Sequence, residues 1–200
     1  MTLKDGYTDV PAGKIAAVVT HLQMLARAPA RRAPPVVGAS VRQVEKPEVQ
    51  WYRDLYRRIG AQDWLWFSRL KLADGTLEAI IHDPNVEIFA LTRDGRDEGL
   101  LELDFRVDED CELAFFGVTV DTLGQGAGRL LMNEALARAW SRPIRRFWVH
   151  TCTWDHPGAL AFYIRSGFQP FRQQVEVVDD PRLTGLIPET AAPHVPLIRQ

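Results

Sequence analysis

Residues 118–129 read Val-Thr-Val-Asp-Thr-Leu-Gly-Gln-Gly-Ala-Gly-Arg, and this stretch decides the fold. It begins at the end of a nearly continuous apolar run, 111–120, which predicts a strand that is buried on both faces. It ends in the first turn of a predicted helix, 126–141, and Pro143 blocks the extension of that helix. The glycines therefore lie where the first backbone N–H groups of a helix lack partners and where a phosphate can approach closely. The pattern predicts an anion-binding turn, with a merely flexible strand-to-helix connection as the alternative.

Two common phosphate-binding motifs do not fit this stretch. No Lys-Ser/Thr pair follows the glycines, which excludes a P-loop. The glycine spacing differs from that of a dinucleotide-binding fingerprint, and the strand comes late in the chain, after several other strands. The glycine loop therefore needs a different explanation.

Outward from the loop, apolar periodicity and turn signals predict the remaining elements. Strands are predicted at 40–44, 86–91, 98–106, 145–152 and 168–178, and helices at 47–60, 63–71, 74–82 and 156–166. Residues 14–27 are ambiguous, because Ile15, Val18 and Leu22 have helical spacing whereas the Val-Val-Thr run favours a strand. The order of the elements predicts a fold of the α/β class. Its sheet has strands of mixed direction, as in α+β proteins.

Composition excludes several classes of protein. The 200 residues are 46% hydrophobic and 25% charged, enough for a core without disulfide or metal staples. A net charge of -2 gives no argument for nucleic acid as a partner. The longest apolar runs are about five residues, whereas a membrane span needs about 20. With two cysteines and no apolar leader, we expect a soluble cytoplasmic protein that is a monomer or homodimer and binds neither membrane nor nucleic acid.

The glycine loop resembles the acetyl-CoA loop of the GNAT N-acyltransferase superfamily, which reads Arg/Gln-x-x-Gly-x-Gly/Ala. The two glycines fall on Gly126 and Gly128. The Arg/Gln position holds Leu123, which departs from the family pattern. The family residue at this position contacts CoA mainly through its backbone N–H, which Leu123 also has.

A second match follows at the right distance. The family's later helix reads Asn-x-x-Ala-x-x-x-Tyr-x-x-x-Gly-Phe, and this chain matches it at Ala159, Tyr163, Gly167 and Phe168. The Asn position holds His156. The resemblance implies a GNAT-like domain at 39–180, with a central, mostly antiparallel sheet that is splayed at the CoA site and flanked by helices. Residues 1–38 form an N-terminal extension that can include a first strand, and 181–200 form a tail.

The chemistry implied by the resemblance is transfer of an acetyl group from acetyl-CoA to a primary amine by direct attack. The acceptor is an unidentified small-molecule or peptide amine; the alternative function is a non-catalytic, regulatory CoA-binding module. Backbone groups of 116–120 would lie near the thioester, and 125–129 would hold the pyrophosphate. The implied CoA-binding residues are Phe116, Gly117, Val118, Thr119, Val120, Leu123, Gly124, Gln125, Gly126, Ala127, Gly128, Arg129, His156 and Tyr163.

Three residues are candidates for proton transfer. Tyr163 stands at the family's tyrosine position near the sulfur and is the candidate acid, although it could simply pack on the sheet. Glu112 enters an apolar strand, where desolvation raises a carboxyl pKa, and is the candidate base; an outward-facing glutamate is the alternative. His150 is a candidate relay at the acceptor site or a packed histidine, and water could replace both bases.

Two further groups of residues, one of His and Cys and one of aromatic side chains, could be functional or merely structural. His150, Cys152 and His156 have no standard zinc spacing and no evident fourth ligand, so no metal is predicted. An aromatic set could cover the acceptor site or form plain core: Trp51, Trp64, Trp66 and Phe67.

Overall fold

The computed structural model describes residues 3–34 and 36–199, and an open seven-stranded sheet organises it. The strands are β1 (Lys14–Met24), β2 (Ala39–Gln43), β3 (Val86–Arg93), β4 (Arg96–Asp104), β5 (Asp110–Val118), β6 (Arg146–Cys152) and β7 (Gln169–Asp179). Their spatial order is β2-β3-β4-β5-β6-β1-β7, and every pair is antiparallel except β5 with β6. The predicted mixed α/β sheet, mostly antiparallel, is confirmed.

Helices cover both faces of the sheet. They are α1 (Val49–Tyr56), α2 (Gln62–Trp64), α3 (Asp74–Ile81), α4 (Ala127–Ala139) and α5 (Ala159–Arg165). On one face α4 and α5 form a core with the sheet, in which Leu131 and Ala135 are fully buried. On the other face α1 to α3 pack with the C-terminal tail, which contributes Ile187 to the second core. The longest described helix has 13 residues, and none of the described helices has the length and hydropathy that a bilayer crossing requires.

The ambiguous N-terminal segment is the strand β1, and it lies inside the sheet between β6 and β7. Its two faces meet different cores. Ile15 and Ala17 pack with the second core, whereas Leu22 and Met24 pack with the first. The first half of β1 buries one face and the second half buries the other, and Val18 between them is 41% exposed. The apolar positions therefore do not keep a period of two along the whole strand, which is why the spacing looked helical.

Two sequence expectations about local structure are wrong. Residues 63–71 do not form one helix: α1 continues through a π-turn, Arg57–Ala61, into α2, and the chain then turns at Leu65, which has a φ of 53°. Burial of the Leu65 side chain and a hydrogen bond of 3.1 Å from Trp66 N to the Gly60 carbonyl stabilise this turn. Strand 111–120 is also not buried along its whole length, because residues 114–117 are half-buried beside a cavity.

Candidate active site

The cavity begins where β5 and β6 part. The two strands are paired only over three residues, from Asp110 opposite Arg146 to Glu112 opposite Trp148. Beyond that point β5 pairs with β4 alone, so the backbone groups on its other edge face a gap. This gap holds a cavity of about 570 Å³. A splayed strand pair therefore exposes backbone N–H and C=O groups to whatever binds there.

Most of the predicted site residues border this one cavity. Those that line it are Phe116, Gly117, Val118, Leu123, Gly124, Gly126, Gly128, Arg129, His150, His156 and Tyr163. The structure thus brings the glycine loop, the open edge of β5 and the residues of α5 around a single space.

The other predicted residues lie next to the cavity without lining it. Thr119 is buried, and its hydroxyl donates to Glu98 over 2.6 Å. Val120 starts a short 3-10 turn and is 49% exposed. Gln125 is exposed and its amide donates to the Asp121 carbonyl over 2.7 Å. Ala127, the first residue of α4, is fully buried. Glu112 does not line the cavity but contacts His150, which does.

The glycine loop presents a row of free backbone donors. Within the described part of the chain, the N–H groups of Gly124, Gly126, Ala127 and Gly128 donate to no other group. Gly126 has a φ of 88°, which favours glycine and lets the backbone turn into α4. N–H groups that converge at a helix start attract an anion. The loop therefore has the donors that a phosphate needs.

Arg129 adds a positive charge at the same end of the cavity. Its guanidinium lies 4.8 Å from the Phe162 ring centroid and donates to the Ser166 hydroxyl over 3.1 Å. Burial and the nearby Arg31 and Arg165 lower the pKa of this guanidinium. It remains charged at neutral pH, so this end of the cavity is electropositive.

Tyr163 is held rigidly at the cavity wall. Its ring packs against Phe116 and Phe168, with centroid distances of 6.2 and 6.0 Å. Within the described residues its hydroxyl makes no hydrogen bond, although the side chain lines the cavity. Burial, reinforced by the charge of Asp155, raises the pKa of this phenol well above its usual value. The hydroxyl is therefore a protonated donor with a free hydrogen.

Glu112 and His150 form a pair at the fork of the strands. The Glu112 Oε1 and His150 Nδ1 atoms lie 3.6 Å apart. This contact raises the pKa of His150 above its ordinary value of 6.5, against the opposing effect of its partial burial. His150 also borders a second cavity, of about 300 Å³, next to His21 and Glu176. The imidazole therefore connects the main cavity with a second space.

An aromatic wall closes the end of the cavity opposite the glycine loop. Its rings belong to Tyr56, Trp64, Trp66, Phe67, Phe115 and Trp154. A Cβ at Gly60 would lie 2.0 Å from the Trp66 ring, so Gly60 leaves the space that this indole fills. Trp51 does not take part, because its indole donates to Asp97 over 2.9 Å outside the cavity.

Sequence reasoning missed Asp155, which fixes this wall to the end of β6. Its carboxylate accepts from Trp66 Nε1 at 3.2 Å, from the Thr151 hydroxyl at 2.7 Å and from Cys152 N at 2.8 Å. The only local signal was a polar residue just before the His156-Pro157 helix start, which is common in any strand-to-helix turn. Its partner Trp66 is far away in the sequence, so the contact required the fold.

The described residues contain no group of three or more His, Cys, Asp or Glu side chains placed to hold a metal ion. Burial raises the pKa of Cys152 to about 12, so this cavity-lining thiol stays protonated at neutral pH.

We compared the chain with models of known protein families and with curated proteins. Residues 46–168 match the model of the acetyltransferase (GNAT) family. The chain belongs to this family. A search of the curated proteins found no match.

Solved structures with the same fold include several acetyltransferases. A GCN5-related N-acetyltransferase from Kribbella flavida is 17% identical, with a TM-score of 0.56, over 86% of this GNAT chain and 63% of its own. The ribosomal-protein-S18-alanine N-acetyltransferase from Escherichia coli is 17% identical, with a TM-score of 0.54, over 70% and 90%. An aminoglycoside acetyltransferase from an uncultured soil metagenomic sample is 14% identical, with a TM-score of 0.53, over 64% and 87%. This chain thus spans less than two thirds of the Kribbella protein, and 54% of a Sphaerobacter thermophilus relative that is 15% identical with a TM-score of 0.59.

Proposed function

We propose that this GNAT protein transfers an acetyl group from acetyl-CoA to a primary amine by direct attack. The observation that carries the proposal is the single cavity that joins the glycine loop, the open edge of β5 and the side chains of Tyr163 and His150. Phosphates would bind the free N–H groups of the loop, and the pantetheine arm would run along Phe116 to Val118. The thioester would then lie in the gap between the strands, within reach of both side chains.

The proton balance of the reaction fits the groups around the gap. The ammonium of the acceptor gives one proton to His150, and the free amine attacks the thioester carbon. Backbone N–H groups on the open edge of β5 stabilise the oxyanion that forms. The C–S bond then breaks and the departing sulfur takes the proton of the Tyr163 hydroxyl. The second N–H proton of the former amine returns to the Tyr163 oxygen, which leaves a neutral amide, the CoA thiol and an unchanged tyrosine. His150 releases its proton towards the second cavity that it borders.

The opposite end of the cavity supports an amine that carries apolar or aromatic groups. Its aromatic wall suits such a group, and the carboxylates of Asp155 and Glu176 attract a cation. The acceptor class can be tested by screening monoamines, aminoglycosides and peptide N-termini with acetyl-CoA while free thiol is measured. Thiol release with any amine supports an enzyme; CoA binding without release would leave the regulatory CoA-binding module.

Replacement of Gly128 by glutamate should strongly weaken CoA binding. A Cβ at Gly128 meets only the Phe162 ring, at 3.9 Å, so the substitution fits the fold. It places a carboxylate beside the free N–H groups, where repulsion of phosphate should weaken CoA affinity by about 100-fold. Calorimetry with CoA measures the effect, and Gly128→Ala is the matched control that should bind like the wild type.

The same substitution at Gly126 would be a poorer test. A Cβ there would lie 2.5 Å from Pro34 and would strain a backbone with a positive φ, so a loss of binding would not be specific. Unchanged CoA affinity in Gly128→Glu would remove the glycine loop as the phosphate site.

Replacement of Glu112 by glutamine should move the acidic limb of the pH–rate profile to lower pH. His150 must be neutral to accept a proton, so the rate falls as pH falls through its pKa. Glu112 raises this pKa, and its loss lets the pKa fall back towards the ordinary value. The measurement is kcat/KM from pH 5 to 9 for the wild type and for Glu112→Gln.

His150→Gln is the companion variant. It should lose rate at neutral pH and regain part of it as pH rises, because free amine then becomes abundant. If both variants keep the wild-type profile, water accepts the proton and neither residue is the base.

A further inference from the structure

Unpaired arginines gather beside the glycine loop. Arg31, Arg129 and Arg165 form no ion pair with a carboxylate anywhere in residues 3–34 and 36–199. By contrast Arg142 and Arg146, beyond the other end of α4, pair with Glu87 and Asp110. The chain therefore neutralises its arginines at one end of α4 and leaves them uncompensated at the other.

The three side chains are close together. The Arg31 guanidinium donates to the Arg165 carbonyl over 3.0 Å, and both guanidinium charges act on Arg129. The Asn133 amide donates to the Arg31 carbonyl over 2.7 Å, so α4 holds the N-terminal loop in place. Like charges brought together without a carboxylate repel one another, and an anion between them would relieve the repulsion.

The loop that carries Arg31 packs against the glycine loop. Pro34 is so near Gly126 that a Cβ there would lie 2.5 Å from its ring. Arg129 and Arg165 line the main cavity. Arg31 does not line it, and its hydrogen bond to the Arg165 carbonyl puts it beside the cavity, at what we call the rim. Along CoA from the thioester, the pyrophosphate comes first and the 3′-phosphate on the ribose lies farther out. The inner donors therefore correspond to the pyrophosphate, and the rim corresponds to the 3′-phosphate.

We propose that Arg31, with Arg129 and Arg165, binds the 3′-phosphate of CoA at the rim of the cavity. This inference rests on the proposed function, because it requires CoA in the main cavity. Arg31 precedes the region 46–168 that the family model matches, so the contact comes from the N-terminal segment of this chain. It would let the protein discriminate CoA from coenzymes or fragments that lack the 3′-phosphate.

A purely structural role for Arg31 makes a different prediction. A guanidinium on the last carbonyl of α5 also caps that helix and would stabilise the free protein. Such a cap would affect every ligand alike. Discrimination between CoA and 3′-dephospho-CoA is therefore the readout that separates phosphate binding from capping.

The test is calorimetry of the full chain with CoA and with 3′-dephospho-CoA. Arg31→Gln should weaken CoA binding by about 5- to 10-fold, as expected for loss of a partly exposed charge-assisted hydrogen bond. Its affinity for 3′-dephospho-CoA should stay within about 2-fold of the wild type, because that ligand lacks the contact. Arg145→Gln, which changes the net charge equally beyond the far end of α4, should alter neither affinity.

Asn133→Ala gives an independent check, because it releases the loop without touching the charge. It should lose part of the same preference for CoA over 3′-dephospho-CoA. Equal losses for both ligands in Arg31→Gln, or no loss for either, would overturn the assignment of the 3′-phosphate. If the wild type binds neither ligand, this inference and the proposed function both fail. If the wild type binds CoA and Arg31→Gln keeps the wild-type affinities for both ligands, this inference alone fails.

Discussion

A chain that lacks residues 1–27 should not fold, because the deletion removes β1 from the middle of the sheet. β1 is paired with β6 on one side and along ten residues of β7 on the other. Without it β7 loses the one strand that pairs with it among the described residues, and both cores lose apolar side chains such as Ile15 and Leu22. Each buried side chain contributes about 1.5–3 kcal/mol, and total stability is about 5–15 kcal/mol.

Circular dichroism and thermal unfolding measure this effect. The shorter chain should show no cooperative melt, and a fragment confined to 39–180 should behave in the same way. Removal of residues 1–9 is the matched control, because it leaves β1 whole and should keep the melting temperature of the full chain. A native-like cooperative melt without residues 1–27 would show that β6 and β7 can pair without β1.

The parts of the fold that the sequence predicted correctly have local causes. The glycines around Gly126 mark a turn by their backbone freedom, and Pro157 and Gly167 bound a helix by their own geometry. The hairpin at Asp94-Gly95 likewise depends on a residue pair that accepts a positive φ. Such signals survive in any tertiary setting, so the strands and helices around them were predicted to within a few residues.

What the sequence could not predict depends on contacts across the chain. β1 looked ambiguous because its first half packs one face on the second core and its second half packs the other face on the first core, and this switch depends on the fold. The turn at Leu65 forms because the buried side chain and the indole of Trp66 find space against Gly60 and Gly117. Propensity alone favoured a helix there, and tertiary packing decided otherwise.

The residues of the candidate site also fall into those that local motifs predict and those that depend on contacts across the chain. The phosphate-binding end follows from a motif that is continuous in sequence, and Tyr163 follows from a second one. The acceptor end is assembled from residues far apart, as the contact between Asp155 and Trp66 shows. The pairing of Glu112 with His150 also depends on the register of β5 against β6, which no local pattern contains.

Replacement of Tyr163 by phenylalanine removes only the phenol oxygen, and it should lower kcat strongly. The hydroxyl is a protonated donor with no partner among the described residues, so its removal should leave the packing of the ring unchanged. Loss of a general acid costs about 10²- to 10⁴-fold in rate, and kcat should fall by that amount. The Kd of CoA should change by less than about 2-fold, because the contact strengthens only as charge develops on the sulfur.

Steady-state kinetics and calorimetry of the same protein samples separate the two roles of this residue. Tyr56→Phe is the matched control: it makes the same change in the same cavity, but its hydroxyl already pairs with Ser68 at 3.2 Å, and kcat should stay near the wild-type value. Because burial keeps the Tyr163 phenol protonated, the wild-type rate should show no alkaline loss from this group up to about pH 10, the ordinary tyrosine pKa. Equal losses of CoA binding and of kcat would indicate a packing role, and an unchanged kcat would show that the thiolate leaves without help from this hydroxyl.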